Sequence, residues 1–181
     1  MIKDTKMVER SKVMNVEVVK VQLHEKHVLS NLLKMYCYEW SQYDKLDVND
    51  QGKYEYEYHL SDFWNKENHY PFFIKVNGIL AGFVLIDDDF AVHLNYDYTI
   101  SDFFIMHKYR HAGIGRYAAK IIFDMFQGKW EIVMHPHNVT SVGFWHSVVD
   151  EYTDNKYEII RLSPDLIYQD GTYADIISFE N

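Results

Sequence analysis

Cysteine occurs once in this chain, at position 37, and proline only three times in 181 residues. A lone cysteine forms no internal disulfide, so the fold has to rest on a packed core. Cys37 reads as a small apolar residue on a helix, with a reactive thiol as the lesser alternative. No apolar run reaches the 18 residues of a membrane span and no basic-then-apolar leader opens at Met1. Neither a membrane partner nor secretion is therefore expected, and the compartment is read as the cytoplasm. Without a leader, the triplet Asn138-Val139-Thr140 has no meaning as a glycosylation acceptor. No Pro/Gly/Ser linker, repeat or low-complexity tract divides the chain, so one domain spanning residues 1–181 is expected. The formal net charge of -9 and the lack of a basic helix argue against a nucleic-acid partner.

What the chain does have is apolar and aromatic content. A hydrophobic share of 48%, with 15 tyrosines, 11 phenylalanines and 4 tryptophans, supplies a core. A chain of this length buries about 70% of its unfolded surface. Val13 to Leu23 alternates as a first strand, and Leu29, Leu32, Leu33, Tyr36 and Trp40 recur at spacings of three and four as a helix. The acidic, tyrosine-rich piece from Asp44 to His59, with Tyr54, Tyr56 and Tyr58, has period two and reads as a loop, a short strand or an acceptor wall. Phe72 to Val76, Asn77-Gly78 and Ile79 to Ile86 make a hairpin, because Asn-Gly takes the positive φ angles of a type I′ turn. Asp87-Asp88-Asp89 ends it. Three adjacent carboxylates lack the alternate spacing and closing glutamate of an EF-hand, so this is a solvated loop. Thr99 to Met106 is the next strand. A helix from Gly113 to Gln127 puts Ile114, Ala118, Ile121, Ile122 and Met125 on one face and is stopped by Gly128. Glu131 to Met134 is a strand, Thr140 or Ser141 caps a helix to about Val149, and Tyr157 to Leu162 with Tyr173 to Phe179 closes the fold as a hairpin. Antiparallel strands followed by strands interleaved with helices give a mixed α/β sheet.

Between Asp102 and Asp124 there is no acidic residue, whereas His107, Lys108, Arg110, His111, Arg116 and Lys120 all fall there. Within this basic window Arg110-His111-Ala112-Gly113-Ile114-Gly115-Arg116 joins an apolar strand to an amphipathic helix. Glycines at that place let backbone N–H groups face outward at a helix N-terminus, which suits a phosphate or pyrophosphate. It is not a Walker A loop, because Arg116 and Tyr117 follow Gly115. It is not a dinucleotide fingerprint either, since Ala118 stands where a third glycine belongs and the segment lies past mid-chain.

Arg110, Gly113 and Gly115 resemble the R/Q-x-x-G-x-G/A motif of the Gcn5-related N-acetyltransferases. Downstream of Ile132-Val133-Met134, Asn138 to Trp145 resembles that family's N-x-x-A-x-x-F-Y signature, with Ser141 for alanine and Trp145 for tyrosine. Order and separation also agree, over roughly residues 70–150. Gly128-Lys129-Trp130-Glu131 and Phe144-Trp145 are similar to a bacterial group within this superfamily whose acceptors are mostly unassigned. The resemblance implies a mixed, mostly antiparallel sheet with a splayed parallel strand pair, flanked by helices. It implies acetyl-CoA as cosubstrate and a small-molecule or peptide amine as acceptor. By position, Phe104, Ile105 and Met106 would pair with the pantetheine arm. Arg110, His111, Ala112, Gly113, Ile114, Gly115 and Arg116 would hold the pyrophosphate, and Asn138, Phe144 and Trp145 would line the other wall. Core packing is the competing role for Phe144 and Trp145.

Acyl transfer to an amine asks for a proton acceptor and a donor facing the leaving thiolate. In many relatives the tyrosine of the second motif is the general acid; Trp145 stands there, and an indole N–H donates a hydrogen bond without giving up its proton. Asp102, a carboxylate within an apolar strand, is the first candidate base, with a structural carboxylate bonded to backbone as the equal alternative. His93 and His146 are weaker candidates. His135-Pro136-His137 lacks a cysteine or carboxylate cluster to complete a tetrahedral set, so no metal is assigned. A non-catalytic module that binds or senses coenzyme A is the alternative function. The acceptor, the acyl length and the oligomeric state are not set by the sequence, and a homodimer stays open.

Overall fold

The structure, a computed structural model, describes residues 2–9, 12–54, 60–89 and 96–181, with residues 2–9, 12 and 13 described by backbone alone. His93 and the end of the tyrosine-rich piece, residues 55–59, lie outside the described residues.

Among the described residues, eight strands form one sheet: β1 (Ile2–Glu9), β2 (Lys12–Lys20), β3 (Tyr70–Val76), β4 (Ile79–Asp87), β5 (Tyr98–Ile105), β6 (Lys129–Met134), β7 (Glu158–Ile167) and β8 (Tyr173–Glu180). Their order is β1-β2-β3-β4-β5-β6-β8-β7, with β5 and β6 parallel and the other neighbours antiparallel. This is the expected mixed, mostly antiparallel sheet with one parallel pair. The strand expected first is in fact second, because β1 precedes it. The helices are α1 (Lys26–Asp44), the short α2 (Asp62–Asn65), α3 (Ile114–Met125) and α4 (Val139–Thr153). Among the described residues, no helix is long and apolar enough to cross a membrane.

Local chemistry accounts for most element ends. Asn77 and Gly78 take φ of 51° and 76°, the two positive values a type I′ hairpin demands. Helix α4 starts two residues earlier than expected, because the Asn138 side chain, not Thr140 or Ser141, caps it by accepting the Ser141 N–H at 3.1 Å. Helix α3 ends at Met125, short of the expected Gln127, since Phe126 has turned extended; Gly128 then takes φ 149° beside Asp97.

Alternation along the strands sorts the core into two layers. On one face, Ile86, Ile100, Trp130, Ile132, Ile177 and Phe179 pack under α3 and α4. On the other, Phe73, Phe83, Leu85 and Phe104 pack against Leu29, Leu32 and Leu33 of α1. The α1 face also carries a buried polar row in register across four strands: Asp87 opposite Thr99, Thr99 opposite Glu131, and Glu131 opposite Ser178. Asp87, expected in a solvated loop, is instead buried at the end of β4, and burial raises its carboxyl above the usual range, against a hydrogen bond donated by the Ser101 hydroxyl and the attraction of His69.

Strand β4 meets β5 closely at Gly82, where an added Cβ would overlap the Phe104 carbonyl oxygen. Gly82→Ala is therefore expected to destabilise the fold by at least about 2 kcal/mol, read as a lower urea midpoint. Asp87 gives a pH signature. An acid that holds its proton more tightly folded than unfolded makes stability fall as pH rises from the ordinary carboxylate value, 3.8, toward the folded one. Urea midpoints compared from about pH 3.5 to about pH 7 should show Asp87→Asn flattening that decline.

Candidate active site

Parallel pairing between β5 and β6 is confined to Tyr98–Trp130 and Thr99–Glu131. Beyond it the strands diverge, and residues 100–105 of β5 face a cleft of about 1420 Å³. Its floor and walls come from β5, the turn before α3, the end of β6, the start of α4, the second half of α1 and the loop between β7 and β8.

Register decides which backbone groups reach this cleft. The Met106 N–H donates to Ala81 O at 2.9 Å and its carbonyl accepts from Tyr109 N at 2.8 Å. The Phe104 carbonyl lies against Gly82 of β4. Strand alternation turns the main-chain groups of Phe103 and Ile105 toward β6 instead. The main-chain groups of Phe104 and Met106, expected to offer contacts, are held by β4 and the following turn. Ile105 keeps its N–H for the cleft, while its carbonyl accepts from Arg110 Nε at 2.6 Å.

A single 3-10 turn, His107–Tyr109, leads into the glycine segment. His111 and Gly113 both have left-handed backbone, with φ of 60° and 75°. Gly113 is the N-cap of α3, so no side chain caps that helix and no acidic residue lies in its first turn. The first N–H groups of a helix have no intrahelical partner, and these belong to a segment lining the cleft. Gly115 is small for another reason: its φ is not positive, but an added Cβ would lie 3.2 Å from the Phe144 ring. Ala112 packs against the core and Ile114 is buried.

The basic side chains of this window are mostly engaged within the protein. Arg110 donates to Glu39 Oε2 at 2.6 Å and lies over the Phe104 ring, and His107 meets the same carboxylate at 3.1 Å. Arg116 pairs with Glu151 and donates to Ser147 Oγ at 2.8 Å, and Lys120 reaches Glu151 at 2.6 Å. Exposed His111 and Lys108 form no ion pair among the described residues. The opposite wall is apolar. Phe144 stacks on Phe103 at 5.6 Å, and Trp145, 5% exposed, meets Phe103 edge-on at 5.1 Å.

Across the sheet, on the α1 side, Asp102 lines the cleft at 6% exposure. Its charge is felt by two cleft neighbours. Burial first, and Asp102 second, push the Cys37 thiol up to about 12, so Cys37 stays protonated and unreactive. Burial and then the carboxylates of Asp44, Asp102 and Asp175 raise the Tyr168 hydroxyl above its ordinary value. Trp40, Tyr43, Tyr168 and His135 form an aromatic wall with ring centroids 4.6–5.9 Å apart. His146 does not line the cleft; it faces Arg161 at 3.2 Å, and burial followed by that charge lowers its pKa.

The fold adds a carboxylate that the sequence did not place beside His135 and His137. Asp170 brings the donor atoms of the three within 4.8 Å. The His137 N–H donates to His135 Nδ1 at 3.2 Å, which leaves the proton of a neutral imidazole on Nε2, 3.5 Å from Asp170 Oδ2. Trp40, Tyr43 and Tyr168 also escaped sequence reading as site residues. The one available signal was the tyrosine-rich acidic piece, whose described residues Asp44, Asp47 and Tyr54 do line the cleft.

Residues 32–148, well over half of the chain, match the family model described as the Acetyltransferase (GNAT) family. Among solved structures, an acetyltransferase from Thermus thermophilus is 11% identical, with a TM-score of 0.64 over 92% of this chain and 97% of that one. The ribosomal-protein-S18-alanine N-acetyltransferase from Escherichia coli is 12% identical, with a TM-score of 0.55 over 91% of this chain and 93% of that one. A ribosomal L7/L12 alpha-N-protein acetyltransferase in complex with coenzyme A is 14% identical, with a TM-score of 0.62 over 91% and 93%. No curated protein matches at a significant level. At such identities the structural likeness speaks for the fold, and the sequence match over residues 32–148 speaks for descent. The chain belongs to the GNAT acetyltransferase family.

Proposed function

We propose that this protein is a single-domain, cytoplasmic N-acetyltransferase that moves an acetyl group from acetyl-CoA to a primary amine. The observation that carries the reading is the uncapped N-terminus of α3 at the mouth of a cleft opened between parallel strands. A ligand with phosphates at one end and amides along its arm fits both features. The backbone N–H groups from Gly113 to Arg116 take the pyrophosphate, helped by His111. Arg110 acts through position, fastening the turn to Ile105 and Glu39. Phe103 and Ile105 pair with the pantetheine amides, Phe144 and Trp145 cover the arm, and Asn138, whose Oδ1 is held by its cap, offers Nδ2.

Acetyl-CoA supplies an activated acyl group: the acceptor nitrogen forms a C–N bond as the C–S bond breaks. A lysine-like amine with pKa about 10.4 costs about 5 kcal/mol to deprotonate at pH 7. Asp102, buried within the cleft, is the base in this reading. The thiolate, from a thiol of pKa about 8.5, leaves with little protonation, so Trp145 is no obstacle. No step calls on a metal. Trp145 also favours a second reading, a module that binds coenzyme A without catalysis.

Calorimetry is expected to find acetyl-CoA binding at low micromolar or tighter, with a ligand at about 100 times its dissociation constant adding about 2.7 kcal/mol of stability. Absence of both heat and thermal shift with coenzyme A and acetyl-CoA at millimolar concentration overturns the cofactor assignment. Gly113→Val and Gly115→Val should weaken that binding far more than Arg116→Ala. The first cannot hold φ 75° easily and the second drives Phe144 into the cleft, whereas Arg116 is already paired with Glu151.

Steady-state rates at saturating cofactor separate the catalytic roles. Trp145→Phe keeps a ring against Phe103 and is expected to lose less than about tenfold in turnover; Asp102→Asn should lose about 10² to 10⁴ and shift the acidic limb of the pH profile. Circular dichroism checks that both variants fold. A large loss in the first beside a near-normal second contradicts both assignments, and a coenzyme A complex with no thiol release from any amine supports the non-catalytic module.

A further inference from the structure

The end of β6 and the loop between β7 and β8 converge on a cluster of nitrogen and oxygen donors that acyl transfer leaves unused. His135 directly follows β6, His137 precedes the cap of α4, and Asp170 stands in the loop before β8. One donor atom from each lies within 4.8 Å of the other two. The His135 side chain is fully buried and that of Asp170 is 7% exposed, whereas His137 is exposed.

Two features set this cluster apart from an ordinary ion pair. His135 Nε2 is shut off from water and makes no hydrogen bond among the described residues. Asp170 Oδ2 stands 3.5 Å from it, beyond the roughly 2.7–3.2 Å of an N–H···O bond, and a buried nitrogen left in that state is rare in native proteins. The spacing itself is the second feature. Donors about 2.1 Å from an ion in tetrahedral arrangement stand about 3.4 Å from one another, so the gap between His135 and Asp170 suits one ion better than one proton. The carboxylate is also held in direction, because the Thr172 N–H and hydroxyl each donate to it at 2.8 Å.

We propose that His135 Nε2, a ring nitrogen of His137 and a carboxylate oxygen of Asp170 hold a divalent ion of the zinc class, with the fourth position open to water. Two imidazoles and a carboxylate suit such borderline ions and suit magnesium or calcium poorly. On binding, the ring proton of His135 moves from Nε2 to Nδ1 as the Nε2 lone pair goes to the ion. His137 turns inward to complete the set, which releases the 3.2 Å contact of its N–H with Nδ1. The ion then ties the loop carrying Tyr168 and Gln169 to the segment carrying Asn138, Thr140 and Ser141, all of which line the cleft. It is a brace between two walls and takes no part in acyl transfer.

The test titrates zinc chloride into the untagged full chain, first freed of metal by chelation, and follows heat and melting temperature, with magnesium chloride as the hard-ion control. A single equivalent of zinc is expected to bind at micromolar concentration or tighter and to raise the melting temperature, and magnesium to do neither. Cobalt(II) in place of zinc reads the geometry, with the intense visible bands of a four-coordinate ion expected in place of the faint ones of its aqua ion. His137→Ala, at an exposed side chain, and Asp170→Asn, which keeps an oxygen for the Thr172 N–H, should each weaken zinc at least about tenfold and dim those bands. His27→Ala, at an exposed histidine of α1, should change neither. Circular dichroism without metal confirms that the variants fold. Absence of zinc binding, binding that survives both ligand substitutions, or an equal loss in His27→Ala, the mark of surface histidines alone, overturns the proposal. Coenzyme A is left out throughout, so the result is independent of the transferase reading.

Discussion

The parting of β5 from β6 after two residue pairs is the constraint on which the rest of the structure depends. A strand edge inside a protein carries N–H and C=O groups that need partners. Here β6 is satisfied on its far side by β8 over its whole length, and β5 likewise by β4, so the sheet survives the gap. The gap is also held open. Arg110 occupies the Ile105 carbonyl, and the rings of Phe103, Phe144 and Trp145 fill the space on the α3/α4 side. What remains is a lined cleft with unpaired backbone along one flank. A ligand that adds its own amides there replaces the missing strand.

Charge around that gap serves the scaffold before it serves a ligand. The basic side chains near α3 resemble a phosphate clamp when read along the chain, yet Arg110, Arg116 and Lys120 are tied to Glu39 and Glu151. They brace α3 against α1 and α4. The N–H groups at the start of α3 carry the partial positive end of the helix dipole and are fixed in direction. The buried polar row of Asp87, Thr99, Glu131 and Ser178 lies at the closed end of the wedge, where β5 and β6 still pair.

Elements set by local chemistry were legible in the sequence. Asn77-Gly78 fixed the hairpin, the apolar spacing of Ile114, Ala118 and Ile122 fixed the buried face of α3, and two short motifs marked the turn and, to within a few residues, the start of α4. Contacts across long sequence distances were not. Glu39 reaches Arg110 over 71 residues, and Asp44 accepts from Asp170 over 126. No periodicity announces such pairings, so the acidic and aromatic end of the cleft, assembled from α1, Tyr54 and Tyr168, was visible only as an odd tyrosine-rich stretch. That β4 and the following turn hold the main-chain groups of Phe104 and Met106 was not legible either, because alternation fixes two faces whereas the pairing with β4 decides which edge is free.

The two motifs occur together because they are packing partners. Gly115 is the place where α3 comes so near α4 that a Cβ would press on the Phe144 ring, and Ile105 closes the same contact at 3.5 Å. One helical turn on, Arg116 and Lys120 both hold Glu151 of α4. The glycine in the first motif therefore sets how far the aromatic pair of the second can advance toward Phe103. A larger residue at Gly115 moves the wall, and a smaller ring at Phe144 removes the reason for the glycine. Within this pair Trp145 replaces a hydroxyl-bearing ring with a larger apolar one, buried against Phe103 and Phe123. The exchange gives up a hydroxyl and gains apolar contact area within that wall.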